Sequence, residues 1–395
     1  MIGFDDALAL IATQVQPLGR EAIMLADAAG RVLAQDLIAR LDAPRSAVSA
    51  MDGYAVRNDD VPAIGTRLHL VGESFAGTGE PVAVGRGQTV RIFTGAPLPD
   101  GADRVIMQEN TEREGDTVII AREFGPGWHV RDRASDFAAG TVLLGGGQRL
   151  DPRAIVAAAA ADQADLVVAR QPRVAIIGTG DELAAPGQAH ERAGAIPESV
   201  TFGVAALVAE GGGEVVRVTR GGDDLSVLER LAGDALAASD LVVITGGASV
   251  GEKDFAKAMF APHGLDLLFS KVAIKPGKPV WLGRVGNKWV LGLPGNPTSA
   301  MVTARLFLVP LLAALQGQNR PPAIQWRTLP LAAPIKATGD RETFVRARWD
   351  VDGLTPLDNQ DSGAQSALVD ANWLVRCPPG QGALKTGEAA QALSF

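Results

Sequence analysis

Three lysines fall within eight residues, in Lys271-Val272-Ala273-Ile274-Lys275-Pro276-Gly277-Lys278. Residues two apart on a strand share a face, so a strand here points Lys271 and Lys275 the same way. Pro276-Gly277 then turns the chain and returns Lys278 beside them. Three converging ammonium groups suit a doubly charged oxyanion or a phosphate. The alternative is a solvated edge strand, where lysine is common. Lysines that interrupt an otherwise apolar run favour the anion site.

Three glycine-bearing segments accompany them: Gly178-Thr179-Gly180-Asp181-Glu182, Thr245-Gly246-Gly247-Ala248-Ser249-Val250-Gly251 and Gly292-Leu293-Pro294-Gly295-Asn296-Pro297-Thr298-Ser299. Each follows an apolar, strand-like run, and two lead straight into a helix. Glycine admits close backbone approach, and the free N–H groups of a helix start attract anions. Turn-making alone would account for one such loop; three at strand ends predict a phosphate-bearing ligand. Neither a dinucleotide fingerprint nor a Walker loop occurs in the right context, which argues against NAD and ordinary NTPase chemistry. Asp181, Glu182, Asp223, Asp224, Glu252 and Asp254 stand close to these loops. Carboxylates beside a phosphate hold Mg²⁺, which keeps water and shares ligands with the phosphate. One of Asp223 and Asp224 is instead expected to cap the helix that starts at Leu225. In the N-terminal half, Asp52-Gly53 and Thr94-Gly95 read, from their residues alone, as turns.

These side chains need elements to position them. Alternating apolar strands and helices from residue 173 to 317 predict a mainly parallel, three-layer α/β domain, with strands at 173–177, 214–218 and 241–244. Helices are expected near 199–209, at 225–238, from 252 onward and at 297–315. A Gly286-Asn287 turn joins two further strands. Residues 45–139, dense in Gly and Pro with short β-branched runs, predict an inserted β module. Residues 1–44 and 140–172 form a linker region, with helices at 5–16, within 24–40 and, rich in Ala, at 152–162. Residues 322–395 predict a small C-terminal β domain.

Composition narrows the function. With 395 residues the chain forms several domains. A net charge of −8 argues against nucleic acid as partner. Cys377 is the one cysteine, so a disulfide within the chain is excluded and a reducing, cytoplasmic compartment is expected. Four scattered histidines make a His-rich zinc site a poor fit. The start lacks a signal-peptide pattern, no apolar run reaches the ~20 residues of a bilayer span, and no membrane association is expected.

Taken in order, 49–57, 94–99 with Gly101-Ala102-Asp103, Asp136, 179–183, 246–251 with Asp254, 273–279 and 293–299 resemble the molybdopterin molybdenumtransferase family, of the bacterial MoeA and gephyrin E-domain types. The likeness covers nearly the whole chain. It implies insertion of molybdate into adenylylated molybdopterin, with release of AMP and a divalent cation, Mg²⁺, assisting. It also implies an elongated homodimer whose cleft joins the α/β domain of one subunit to the β module of the other. Molybdopterin adenylyltransferase and downstream cofactor-handling proteins are the protein partners it implies. Carried across, Asp52, Asp136, Lys271 and Lys275 take catalytic roles, and Asp223 and Asp254 metal roles. Thr94, Thr179, Glu182, Gly246, Gly247, Ser249, Gly251, Lys278, Pro294, Gly295, Asn296, Pro297 and Ser362 bind substrate, with Ser366 a fainter match. The family carries Asp-Ser-Asn where this chain has Glu198-Ser199-Val200. That departure makes a paralogue that binds the pterin without turnover one alternative; the resemblance also implies a scaffold, as gephyrin-type domains anchor peptides, and an adenylyltransferase, whose α/β domain is similar.

Overall fold

The structure, a computed structural model, describes residues 1–77, 79–246 and 255–395. Helix α1 (Phe4–Gln14) buries Phe4, Ala7 and Ile11, the three-to-four spacing of one helix face. No helix spans 24–40. Only Leu25–Asp27 makes a single 3-10 turn, after which Leu33 N–H bonds Gln148 O and Ala34 N–H bonds Val167 O. Pairing with residues 142–169 overrides the helix propensity of this Ala- and Leu-rich stretch.

The β module is one six-stranded sheet of β1 (Gly53–Val56), β2 (Arg67–Ser74), β3 (Gln88–Ile92), β4 (Arg104–Met107), β5 (Thr111–Glu114) and β6 (Thr117–Ile120), in the order β4-β1-β3-β2-β6-β5. The chain then returns to its start, where Asp165–Ala169 pairs antiparallel with Arg20–Met24. Helix α2 (Pro152–Ala160) opens on Asp151, whose carboxylate accepts from Ala154 N–H at 2.8 Å, with proline at its first turn. Ala154 and Ala158 bury against Leu33, Leu150 and Val168.

The central sheet contains β7 (Arg173–Thr179), β8 (Glu214–Gly221), β9 (Leu241–Thr245), β10 (Asp266–Phe269), β12 (Trp281–Val285) and β13 (Lys288–Leu293). Strand β11 (Ile274–Lys275) falls between β10 and β12 but belongs elsewhere. The order is β8-β7-β9-β13-β12-β10; the first four strands run parallel, β12 runs antiparallel to them, and β10, antiparallel to β12, returns to their direction. Alternation places Val174, Ile176, Leu241 and Val243 on one face, packed with α3 (Val200–Glu210) and α5 (Pro297–Leu315). Ala175, Ile177, Val242 and Ile244 face the other way, onto α4 (Leu225–Ala238). Each fully buried Val, Leu or Ile contributes about 1.5–3 kcal/mol. The sheet is therefore a rigid platform whose carboxyl edge carries the loops. Helix α5 is 19 residues long, with mean hydropathy 1.7 over 18 of them, enough by length and composition to cross a bilayer. Yet 78% of it is buried, which is the position of a core helix.

The last sheet holds β14 (Arg327–Pro330), β15 (Glu342–Asp350), β16 (Gly353–Pro356), β17 (Trp373–Cys377) and β18 (Ala389–Ser394), in the order β11-β15-β17-β18-β14 with β16 on β15. The lysine segment is thus an edge strand of the C-terminal sheet, not of the α/β sheet. It also bridges to Ile2 through Val272.

Candidate active site

The described parts of the three glycine segments, 178–182, Thr245-Gly246 and 292–299, meet at one sheet edge. Gly178 lies opposite Thr245 and Thr245 opposite Leu293, so β7, β9 and β13 end side by side. Gly246 adopts φ +91, and a Cβ there would lie 2.5 Å from Thr179 O. A Cβ on Gly295 would lie 3.2 Å from Gly246 Cα. At Gly246 only glycine permits this approach, and the contact with Gly295 is tight, so the loops are held together under a cleft of about 660 Å³. Thr179, Glu182, Asp223, Gly246 and residues 294–297 all line it. Gly247, Ser249, Gly251 and Asp254, together with a helix start at Glu252, lie outside the described residues. The segment is described again from a short helix, Phe255–Ala258.

The two adjacent aspartates divide their work. Asp224 caps α4, its Oδ1 accepting from Val227 N–H at 3.2 Å and from Ser226 Oγ at 2.8 Å. These bonds hold its carboxyl below the usual range. Asp223 faces the cleft, its backbone N–H bonded at 2.9 Å to Asp181 Oδ1. Glu182 and Asp223 are thus the carboxylates that the described residues offer to a cation. No cluster of three or more metal-ligating side chains occurs among those residues. Two carboxylates suit Mg²⁺ that completes its shell with water and substrate phosphates rather than a preformed cage.

Glu198 also lines this cleft but is only 3% exposed. Its carboxylate accepts from Thr201 N–H at 2.8 Å and from Thr201 Oγ1, closing the first turn of α3. Val200 is buried in the core.

Lys275 and Lys278 line a second cleft of about 960 Å³, between their own segment and the C-terminal sheet. Gly277, at φ +101, packs so tightly on α5 that a Cβ would lie 2.1 Å from Thr303 Cγ2, which fixes the turn carrying Lys275 and Lys278. Lys271 is not with them. A bend at Ala273 interrupts the strand, Ile274 N–H turning back to Val272 O at 2.9 Å, and Lys271 does not line this cleft. Lys336 and Arg341 of the C-terminal domain face Lys275 and Lys278 instead, and Arg341 Nη1 donates to Ile274 O at 3.3 Å. The two clefts adjoin where Asn296 Nδ2 donates to Ser362 Oγ at 3.1 Å and Thr298 N–H to Ser362 O at 3.2 Å. Ser366 begins a short helix just beyond.

Arg346 lies beneath this wall, fully buried, with Nη2 on Asp361 O at 3.1 Å and Nε and Nη1 without a hydrogen-bond partner. Burial lowers its pKa, and the Asp361 charge opposes this. An arginine inside the apolar run Phe344-Val345-Arg346-Ala347 is the signal that would have found it.

Asp52 and Thr94 meet in the β module: Asp52 Oδ1 accepts from Thr94 N–H and from Thr94 Oγ1, both at 2.7 Å. Those bonds, the backbone one foremost, hold the Asp52 carboxyl below its ordinary value, and the Arg91 charge adds to them. Asp136 is exposed, its N–H on Ala43 O at 3.0 Å. None of Asp52, Thr94 and Asp136 lines either cleft within the chain.

Fold and site together define a multidomain α/β protein with a carboxylate-bearing glycine cleft opening beside a cationic one. The family described as "MoeA N-terminal region (domain I and II)" matches residues 2–161, "Probable molybdopterin binding domain" residues 175–314 and "MoeA C-terminal region (domain IV)" residues 328–395. A molybdopterin molybdenumtransferase of Haemophilus influenzae is 35% identical over 100% of this chain and 99% of its own length. Molybdopterin molybdenumtransferase 2 of Mycobacterium tuberculosis is 36% identical over 90% of each. The crystal structure of the molybdopterin biosynthesis moeA protein from Pyrococcus horikoshii OT3 covers 100% of both chains at 27% identity, with a TM-score of 0.85. The chain belongs to the molybdopterin molybdenumtransferase family.

Proposed function

We propose that the protein inserts molybdate into adenylylated molybdopterin, releasing AMP and the molybdenum cofactor. One observation carries the reading: a phosphate-type cleft and a cationic cleft share a wall at Asn296 and Ser362. The backbone around Gly246 and residues 294–297 receives the pterin and phosphates, while Lys275 and Lys278 hold the oxyanion beside them. Glu182 and Asp223 hold Mg²⁺, which when bound supplies electrophilic assistance at phosphorus. As the phosphoanhydride breaks, the ammonium groups offset the charge that develops on the leaving AMP. The attacking oxygen comes from water or molybdate and bonds to phosphorus as the bond to AMP breaks, and the dithiolene sulfurs of the substrate take the molybdenum as its displaced oxygens leave as water, so no protein nucleophile is required.

The working unit is a homodimer. Asp52 and Thr94, which reach neither cleft of their own chain, complete the partner's site together with Asp136. A pterin-binding protein without turnover is the second reading. It is favoured by Glu198 turning to Thr201 and by Val200 lying in the core, which leave the cleft fewer polar side chains. The test is incubation of the purified chain with adenylylated molybdopterin, Mg²⁺ and molybdate. The proposal expects AMP and active cofactor in step; retained pterin binding without AMP would establish the second reading.

A further inference from the structure

The lysine-lined cavity carries an excess of positive charge among its lining residues. Lys275 and Lys278 line it from one side, Lys336 and Arg341 from the other. Among the described residues none of the four forms an ion pair. Asp358 and Asp361 share the cavity, so four cations against two carboxylates leave a formal surplus of two positive charges. Cations gathered without partners repel one another, and an anion that fills the space relieves them in proportion to its own charge. Hydroxyl donors from Ser299 and Ser362 line the same space and suit oxygen atoms in any direction.

We infer that this cavity selects its oxyanion by charge, taking a tetrahedral dianion over a monoanion of the same size, with Lys336 and Arg341 as specificity-determining residues. The inference rests on the reading of this cleft as the molybdate site and adds the rule by which it discriminates. Lys275 and Lys278 alone would balance the two carboxylates and leave no surplus. The pair from the C-terminal domain supplies the excess that matches a dianion. Arg341 is also tied to Ile274 O, so its removal would mix loss of charge with loss of position. Exposed Lys336 separates the two effects.

The experiment is calorimetric titration of the full chain, at constant ionic strength, with molybdate, perrhenate and sulfate in turn. Perrhenate matches molybdate in size with one charge fewer; sulfate matches it in charge and is smaller. Perrhenate is expected to bind at least about tenfold more weakly than molybdate, and sulfate within a few-fold of it. Lys336→Gln lowers molybdate affinity about tenfold and narrows the gap between molybdate and perrhenate. Lys385→Gln, exposed and outside the cavity, leaves both unchanged. Perrhenate binding as tightly as molybdate, or Lys336→Gln leaving molybdate affinity intact, overturns the inference. Charge-selective binding without AMP release would instead refute the proposed reaction and leave the selection rule standing.

Discussion

At the residue scale, the difference between two lysines four positions apart is decisive. Lys275 is exposed in the cavity, whereas Lys271 lies beyond the bend at Ala273. Lys275→Ala is expected to lower kcat/KM for molybdate at least about tenfold, the loss of a charge-assisted contact. Lys271→Ala should stay within about twofold of wild type in the same steady-state assay. Asp52 gives a second residue-level expectation. Its carboxyl is held below the usual range by hydrogen bonds from Thr94, so the ionised form survives to lower pH than an ordinary aspartate. Whatever the pair adds to stability is present above the ordinary value of 3.8 and lost as pH falls through the lower folded one. Thr94→Val removes the hydroxyl donor, so the Asp52 pKa rises and the acid limb of activity moves to higher pH. A pH–rate profile checks the direction; an unmoved limb would show that Asp52 does not titrate in turnover.

At the scale of elements, the cleft depends on loops that only glycine can close. Gly246→Ala places a methyl 2.5 Å from Thr179 O at a left-handed φ of +91. The strain alone is about 1–3 kcal/mol, and relieving it parts the β7 and β9 loops. Denaturant unfolding should show that loss, with pterin binding falling further than stability. The same elements mark what the sequence made legible. Strands β7 and β9 announce themselves as short, continuously apolar runs, and α4 by its acidic cap at Asp224 followed by buried Leu228, Ala232 and Ala235. The segment 24–40 was opaque because local composition favoured a helix while the winning bonds come from residues more than a hundred positions away. The absence of Lys271 from the cavity lining has a related reason: the strand is only Ile274–Lys275, and Val272 pairs with Ile2 outside it. Lys336 and Arg341 carried no local signal, since their partners across the cavity are about sixty residues upstream.

At the scale of the whole molecule, the site is divided between domains. The glycine cleft belongs to the α/β sheet edge, and the cationic cavity opens where the lysine segment joins the C-terminal sheet through β11 and β15. The Asp52–Thr94 pair sits apart on the β module. The proposed homodimer, in which each cleft receives the partner's Asp52, makes one site from these parts. The measurement that tests this most directly is molybdate-dependent AMP release from mixed dimers of Asp52→Asn and Lys275→Ala. Each variant alone is expected to retain about a tenth of wild-type activity or less. In a mixed dimer one cleft receives both substitutions and the other receives neither. Random reassortment makes about half the dimers mixed, each with one intact site of two, so activity recovers to about a quarter of wild type. Mixed dimers that form yet release no AMP would contradict the account and place the whole site within one chain.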